Sequence, residues 1–274
     1  MTSESAAGAV PPAELLPARV LTLAEQTTRF RDRLATLQFN DPFAPDEALA
    51  HAEAAAQLSC AAKTVAGELA QVHLYGSPGI RDTFSRLQLL ARQAQLADEH
   101  LTWVHVYLGE LPPEERAQRP YPPGRVLDTL LEAGRHLREA DTLTALGAPD
   151  VLRAAADLAA ALRTQKSSGR AHPMSPAQYT ALHAAASGYV TVDALGSEEW
   201  ARNRLDRLSM GTVRSLEARG WVRREAHHPV PGSRSVRLHL TDTGRVALAS
   251  RLGRTPVVTR PSALAAQPAR TRIR

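Results

Sequence analysis

Between residues 45 and 75 the apolar positions Ala55, Leu58, Ala62, Val65, Leu69 and Val72 recur at alternating steps of three and four. That spacing lines side chains along one stripe of a helix. Gly76 ends the helix, and Ser77 with Pro78 supplies the N-cap and first turn of a second one, where proline's missing N–H is no loss. The second stripe runs Phe84, Leu87, Ala91, Ala94, Ala97, Leu101, Val104 and Leu108. Its step from Ala94 to Ala97 breaks the heptad, which favours an antiparallel helical hairpin over an extended coiled coil.

Further helices flank this pair. Residues 1–12 are small, polar and proline-bearing and are expected to be disordered, and a helix is expected over 13–37. Pro112, Pro113, Pro120, Pro122 and Pro123 make 111–124 a loop. Val126, Leu130, Ala133, Leu137 and Ala140 repeat at helical spacing, and Val151, Leu152, Ala155, Leu158, Ala159 and Leu162 mark another helix after Gly147 and Pro149. Residues 13–165 therefore predict a four- or five-helix bundle for self-association or partner binding. Residues 166–174, with Ser167, Ser168 and Gly169, read as a linker.

Residues 175–252 follow another grammar. Ser175, Pro176 and Gln178 form a capping box with a first-turn proline, so a helix starts there and runs to about Ser187, before Gly188. Tyr189 to Val192 reads as one short edge strand. From Ser209 to Gly220 the apolar Met210, Val213 and Leu216 recur every three residues, with Ser209 as cap and Gly220 as stop. Trp221 to Arg224, a loop with Pro229, Pro231 and Gly232, and Val236, Leu238 and Leu240 alternating with Arg237 and His239 predict a hairpin with one buried face. Thr241 caps a last helix through about Leu252.

The run Leu216, Glu217, Ala218, Arg219, Gly220, Trp221, Val222, Arg223, then the hairpin and Leu240 to Arg245, resembles the MarR-like and PadR-like winged-helix regulators of bacteria. The resemblance covers under a third of the chain. It implies a mainly α protein in which a helical bundle precedes a C-terminal winged-helix (α+β) domain, and it implies binding of double-stranded DNA. Residues 196–208 depart from the family pattern, being mostly charged or polar apart from Trp200, Leu205 and Leu208. Either a short helix from Ser197 or an extended excursion fills them.

Charge sharpens this reading. Residues 1–169 carry 16 Lys and Arg against 21 Asp and Glu, a balance of −5, whereas 170–274 carry 17 against 7, a balance of +10. A polyanionic partner would therefore meet the last third. The candidate recognition helix presents Ser209, Thr212, Arg214, Ser215 and Arg219. Arginine suits guanine edges there, and hydroxyls suit either base type. Arg234 and Arg237 at the wing would lie near phosphates. The alternative is an adaptor whose winged helix binds a protein.

Enzymatic chemistry finds little footing. The sequence has no P-loop, dinucleotide-binding glycine pattern, His-Glu-x-x-His or cysteine pair, so no catalytic residue, cofactor or metal is expected. His227 and His228 would point to opposite faces of a strand, Asp98, Glu99 and His100 fan around a helix, and His73, Trp103 and His105 read as core or interface residues. Cys60, among Ser59, Ala61 and Ala62, reads as inert small-residue packing. No segment reaches the roughly 18 apolar residues of a membrane span, and residues 1–10 lack a secretory pattern, so a cytoplasmic protein without membrane contact is expected.

The long apolar stripes predict a homodimer formed through 13–165, matched to paired DNA half-sites. Residues 253–274, with five arginines and no acid, predict a disordered tail that adds affinity without specificity. Deleting this tail is expected to weaken binding to every duplex alike and to flatten the salt dependence. Titrations of specific and random duplexes over a salt series check this, and unequal losses would contradict it.

Overall fold

A computed structural model describes residues 15–71, 77–117, 124–165, 171–195, 198–203, 206–226 and 235–254. The chain is mainly helical, with a small antiparallel sheet near its C-terminal end. The helical part comprises α1 (Leu16–Leu34), α2 (Ala44–Ala70), α3 (Pro78–Gly109), the single-turn α4 (Pro113–Ala117), α5 (Gly124–Thr144) and α6 (Gly147–Gln165). The rest runs α7 (Pro176–Ala186), β1 (Val190–Leu195), β2 (Glu198–Asn203), β3 (Asp206–Leu208), α8 (Met210–Ala218), β4 (Val222–Ala226), β5 (Val236–Leu240) and α9 (Asp242–Ala249). None of these helices is long and apolar enough to cross a membrane.

The bundle forms where the stripes placed it. Ala55, Leu58, Ala62, Val65 and Leu69 of α2 and Leu87 through Leu108 of the α3 stripe are buried, and the two helices pack as an antiparallel hairpin. Small side chains let the backbones approach closely enough for the Ser59 hydroxyl to donate to the Ala91 carbonyl at 2.8 Å. The stripes thus face one another inside one chain. Cys60, one position on from Ser59, lies on the exposed side of α2, so its small neighbours fill the core without it.

Within the proline-rich segment, α4 carries a structural residue that spacing did not reveal. Arg116 is buried and donates from Nη1 to the Leu108 and Leu111 carbonyls at 2.7 and 2.8 Å, and from Nη2 to those of Asp41 and Pro42 at 3.2 and 2.9 Å. Carbonyls at a helix C-terminus have no partner inside the helix. One guanidinium here supplies donors to the end of α3 and to the turn that enters α2.

The sheet has the order β3-β2-β1-β5-β4, so β1 is an inner strand and not the edge strand expected. It pairs with β2 from Val190↔Asn203 to Leu195↔Glu198 and with β5 at Thr191↔Arg237 and Val192↔Val236. Residues 198–203 and 206–208 follow the extended alternative, paired as the antiparallel strands β2 and β3, while 196, 197, 204 and 205 lie outside the described residues. A helix there would have had little apolar face to bury. As strands, the segment covers the open N–H and C=O row of β1, buries Ala201 and sets Arg202 against Asp193 at 2.9 Å.

The expected division into two domains joined by a linker does not divide the core. One cluster of buried side chains runs from Leu16, Val20 and Leu23 of α1 through Leu58, Leu87 and Leu158 to Leu182, Val213, Leu216, Leu238 and Leu248. In the proposed linker, residues 166–170 lie outside the described residues, while Met174 is buried and its carbonyl accepts from Arg251 Nη2 at 2.6 Å. Gly253 packs against the backbone of Ala160, so the first residues of the expected tail belong to the described fold; residues 1–14 and 255–274 lie outside the described residues.

Two glycines hold the C-terminal unit in place. Gly188 ends α7 with φ 72°, its N–H bonded to the Ala185 carbonyl and that of Tyr189 to Ala184, the paired bonds of a Schellman motif. A Cβ there would meet Thr28 of α1 at 2.6 Å. Gly244, in the first turn of α9, lies so close to the chain entering β4 that a Cβ would stand 1.9 Å from the Trp221 carbonyl oxygen. Backbone cannot yield as a side-chain tip can. Gly244→Ala is therefore expected to destabilise the protein by about 3 kcal/mol or more, read as a fall in the urea midpoint; a change below about 0.5 kcal/mol would contradict this packing.

Candidate nucleic-acid interface

Helix α8 forms because Val213 and Leu216 are both buried at 0% exposure and Met210 is half-buried beside them. Its end is a Schellman pair, Gly220 N–H to the Glu217 carbonyl at 2.8 Å and Trp221 N–H to Leu216 at 3.0 Å. The capping box of α7 also fixes α8 from the side: Gln178, whose side chain accepts from Ser175 N–H, donates from Nε2 to Ser215 Oγ at 2.8 Å. The capping pair that starts one helix thereby orients the next.

The sequence-predicted residues separate into distinct environments. Ser209 and Arg214 are exposed, and Thr212 is half-buried. Ser215 is half-buried and engaged by Gln178, which turns it toward α7 instead of outward. Arg219 is exposed, but it donates to the Pro173 carbonyl at 2.8 Å and stacks 4.8 Å above the Trp221 ring. Arg234 lies outside the described residues, as do His73, His227 and His228. Elsewhere Trp103 is 51% exposed on α3, and His105 Nδ1 lies 2.9 Å from the Pro45 carbonyl, a structural contact.

Arg237 requires a correction. Its Nε donates to Asp32 Oδ2 of α1 at 2.7 Å and it also bonds the Gly188 carbonyl, with 13% of its side chain exposed. A guanidinium held by a carboxylate from 205 residues earlier is committed to the fold and not presented to phosphate. Arg237 belongs to a charged seam between α1 and the β4–β5 hairpin. Glu25, 5% exposed, meets Arg29 at 2.8 Å, Arg223 at 3.7 Å and Arg245 of α9. Glu225 receives Arg29 at 2.6 Å and Arg223 at 2.7 Å. His239 lies buried between Asp32 and Glu225, 3.9 and 3.8 Å away.

Around α8 the charge is mixed. Arg224 of β4 is gripped by Glu217 at 2.6 Å and Glu199 at 2.7 Å. These hydrogen bonds raise the arginine, and the one to Glu199 lowers that carboxyl below its ordinary range, with Arg214 adding to the effect. Arg207 on β3 is exposed nearby. The face can thus present Arg214, Arg207 and the Ser209 hydroxyl to a partner. Among the described residues no group of three or more His, Cys, Asp or Glu is placed to hold a metal. Sequence reasoning placed Gln178 in its capping box and His239 in its strand but missed the bond from Gln178 to Ser215, the carboxylates that flank His239, and Glu25, Asp32 and Glu225 altogether. Glu25, Arg29 and Asp32 do fall at i, i+4 and i+7 on α1, the one visible signal of a charged face.

Comparisons with protein-family models, characterised proteins and solved structures returned no match.

The seam and its surroundings set a pH dependence. Burial is the leading cause that lowers His51, His183 and His239 from the ordinary 6.5; Glu225 and Asp32 pull His239 the other way without reversing it. Just below pH 6.5 the unfolded chain then binds more protons than the folded one, so stability is lost as pH falls through that window. Glu25 acts oppositely. Burial raises its carboxyl from 4.5 against the pull of Arg245 and Arg223, so its contribution is fullest in acid and is lost as pH rises through the raised value. Urea midpoints at about pH 7.5 and 5.5 are expected to drop on acidification, and His239→Gln to shrink the drop. An unchanged drop in the variant would clear His239 of any part in it.

Proposed function

We propose that residues 175–252 form a winged-helix module that binds double-stranded DNA, with α8 as recognition helix, and that the protein acts as a transcriptional regulator. The observation that carries this reading is the exposed Arg214 on α8, opposite the buried Val213 and Leu216, directly before a β4–β5 hairpin whose second strand pairs with β1. Helix, strand, helix and hairpin in that order are the parts of a winged helix, with β2–β3 standing where its middle helix would be. In such docking an exposed helix enters the major groove, where arginine reads guanine. The reading is of a binding protein, without a catalytic step, acting in the cytoplasm. The helical bundle would serve self-association or partner binding through what it leaves exposed, including Trp103, Leu127 and Leu131.

A second reading has its own support. Glu199 and Glu217 border α8, and Arg223 and Arg237 are tied to acids in the seam. A face of mixed charge suits a protein partner better than a polyanion. An adaptor would use α8 in that way.

One residue distinguishes the two. A bidentate contact to guanine contributes about 1–3 kcal/mol of discrimination, so Arg214→Ala is expected to lower affinity for a selected duplex by roughly ten- to a hundredfold and for a scrambled one only slightly. Titrations at one fixed salt concentration read this out. Equal losses on both duplexes would reduce Arg214 to a phosphate contact, and undiminished binding to both would favour the adaptor.

A further inference from the structure

Helices α3 and α5 bring two histidines together on one flank of the bundle. His100 Nδ1 lies 2.8 Å from His136 Nδ1, and Arg135 Nη2 lies 3.1 Å from His136 Nε2. A guanidinium only donates, so His136 Nε2 accepts from Arg135, the His136 proton sits on Nδ1, and His100 Nδ1 accepts it. Both rings are therefore neutral. Burial first, and then Arg135, lowers His136 from the ordinary 6.5. The pair is held in place by packing, since Leu101 and Val104 of α3 and Ala133 and Ala140 of α5 are buried beside it. Tyr107 and Trp103 stack 5.7 and 6.2 Å from His136. Glu132 and Glu139 stand one helical turn before and after His136, and both favour positive charge there. Asp98 and Glu99 fan away from His100 on α3, so its partner comes from another helix.

We propose that His100 and His136 bind one divalent ion of the zinc class, each through Nδ1, with Glu132 and water completing the shell. Neutral imidazole is the form that ligates such ions, and here two ring nitrogens already converge on one point. A tetrahedral ion with bonds of about 2.0–2.1 Å to nitrogen sets the two atoms about 3.3 Å apart, so the rings need only a small opening from 2.8 Å. As the metal takes the place of the shared proton, that proton passes to His136 Nε2, and both rings stay neutral. Arg135 must then leave Nε2, which donates to water instead. The move is open to it: Arg135 pairs with Glu132 at 2.9 Å, and half of each side chain is exposed. Glu132, four positions before His136, lies on the same helix face and turns to the metal as Arg135 withdraws. Imidazole suits zinc, nickel and copper, whereas magnesium prefers oxygen. The site lies apart from α8, so its occupancy does not depend on whether that helix meets DNA.

Equilibrium dialysis of the full chain against zinc sulfate, with thermal denaturation in parallel, tests the site. One equivalent of zinc is expected to bind and to raise Tm by about 2 °C at tenfold excess over Kd, while magnesium sulfate leaves Tm unchanged. His100→Gln, at a half-buried position, is expected to lose both the equivalent and the rise, and Glu132→Gln to weaken binding severalfold. His172→Gln, which replaces an exposed histidine of the C-terminal unit, is expected to change neither. Copper sulfate gives a second readout in the unsubstituted chain: Cu2+ held by His136 lies beside Trp103 and quenches its fluorescence, so Trp103→Phe removes most of the quench. No bound equivalent at micromolar zinc, an undiminished equivalent in His100→Gln, an equal rise with magnesium, or a copper quench unchanged by Trp103→Phe would each overturn the site.

Discussion

A carboxylate with 5% of its side chain exposed, Glu25, sits among Arg29, Arg223 and Arg245, and the relation between the two halves of the chain depends on that arrangement. A buried charge is tolerated only when paired, because losing its partner leaves the full cost of desolvation. Helix α1 therefore has two constrained sides. One places Leu16, Val20 and Leu23 in the common core; the other places Glu25, Arg29 and Asp32 against β4, β5 and α9. Neither can be satisfied unless the bundle and the sheet meet in one register.

That seam redistributes the charge on which the functional reading depends. The C-terminal third is strongly basic as a count, yet Arg237 and Arg245 are directed inward to acids, the exposed Arg223 is paired with Glu225, and Arg224 lies between Glu199 and Glu217. Among the described residues of α8 and β3, Arg214 and Arg207 are exposed and make no ion pair. Net charge describes long-range attraction; it does not say which guanidinium is available at contact distance.

The seam also leaves a cleft between the bundle and the C-terminal unit. Holding α1 to β5 through Asp32 and Arg237 sets the α7–β1 turn opposite α5 without closing the space between them. Gly188 makes the approach narrow on the Thr28 side.

The sequence by itself determined the helices of the bundle, their hairpin pairing, the capped start of α7, the extent of α8 and the β4–β5 hairpin. In each case the signal is local: a period of 3.6 or 2, a capping residue, a proline or a glycine within a few positions. It also placed Arg214 outward, because Val213 and Leu216 fix the angle of one short helix. Only the tertiary structure decided that β1 is an inner strand, that 198–203 and 206–208 pair as strands, that Cys60 faces solvent and that Arg237 is bound by Asp32. Those outcomes turn on which groups elsewhere in the chain need a partner. An open strand edge needs N–H and C=O groups, and a buried carboxylate needs cations. A pairing across about two hundred residues leaves no periodic trace in the sequence, since either partner alone looks like an ordinary solvated charge.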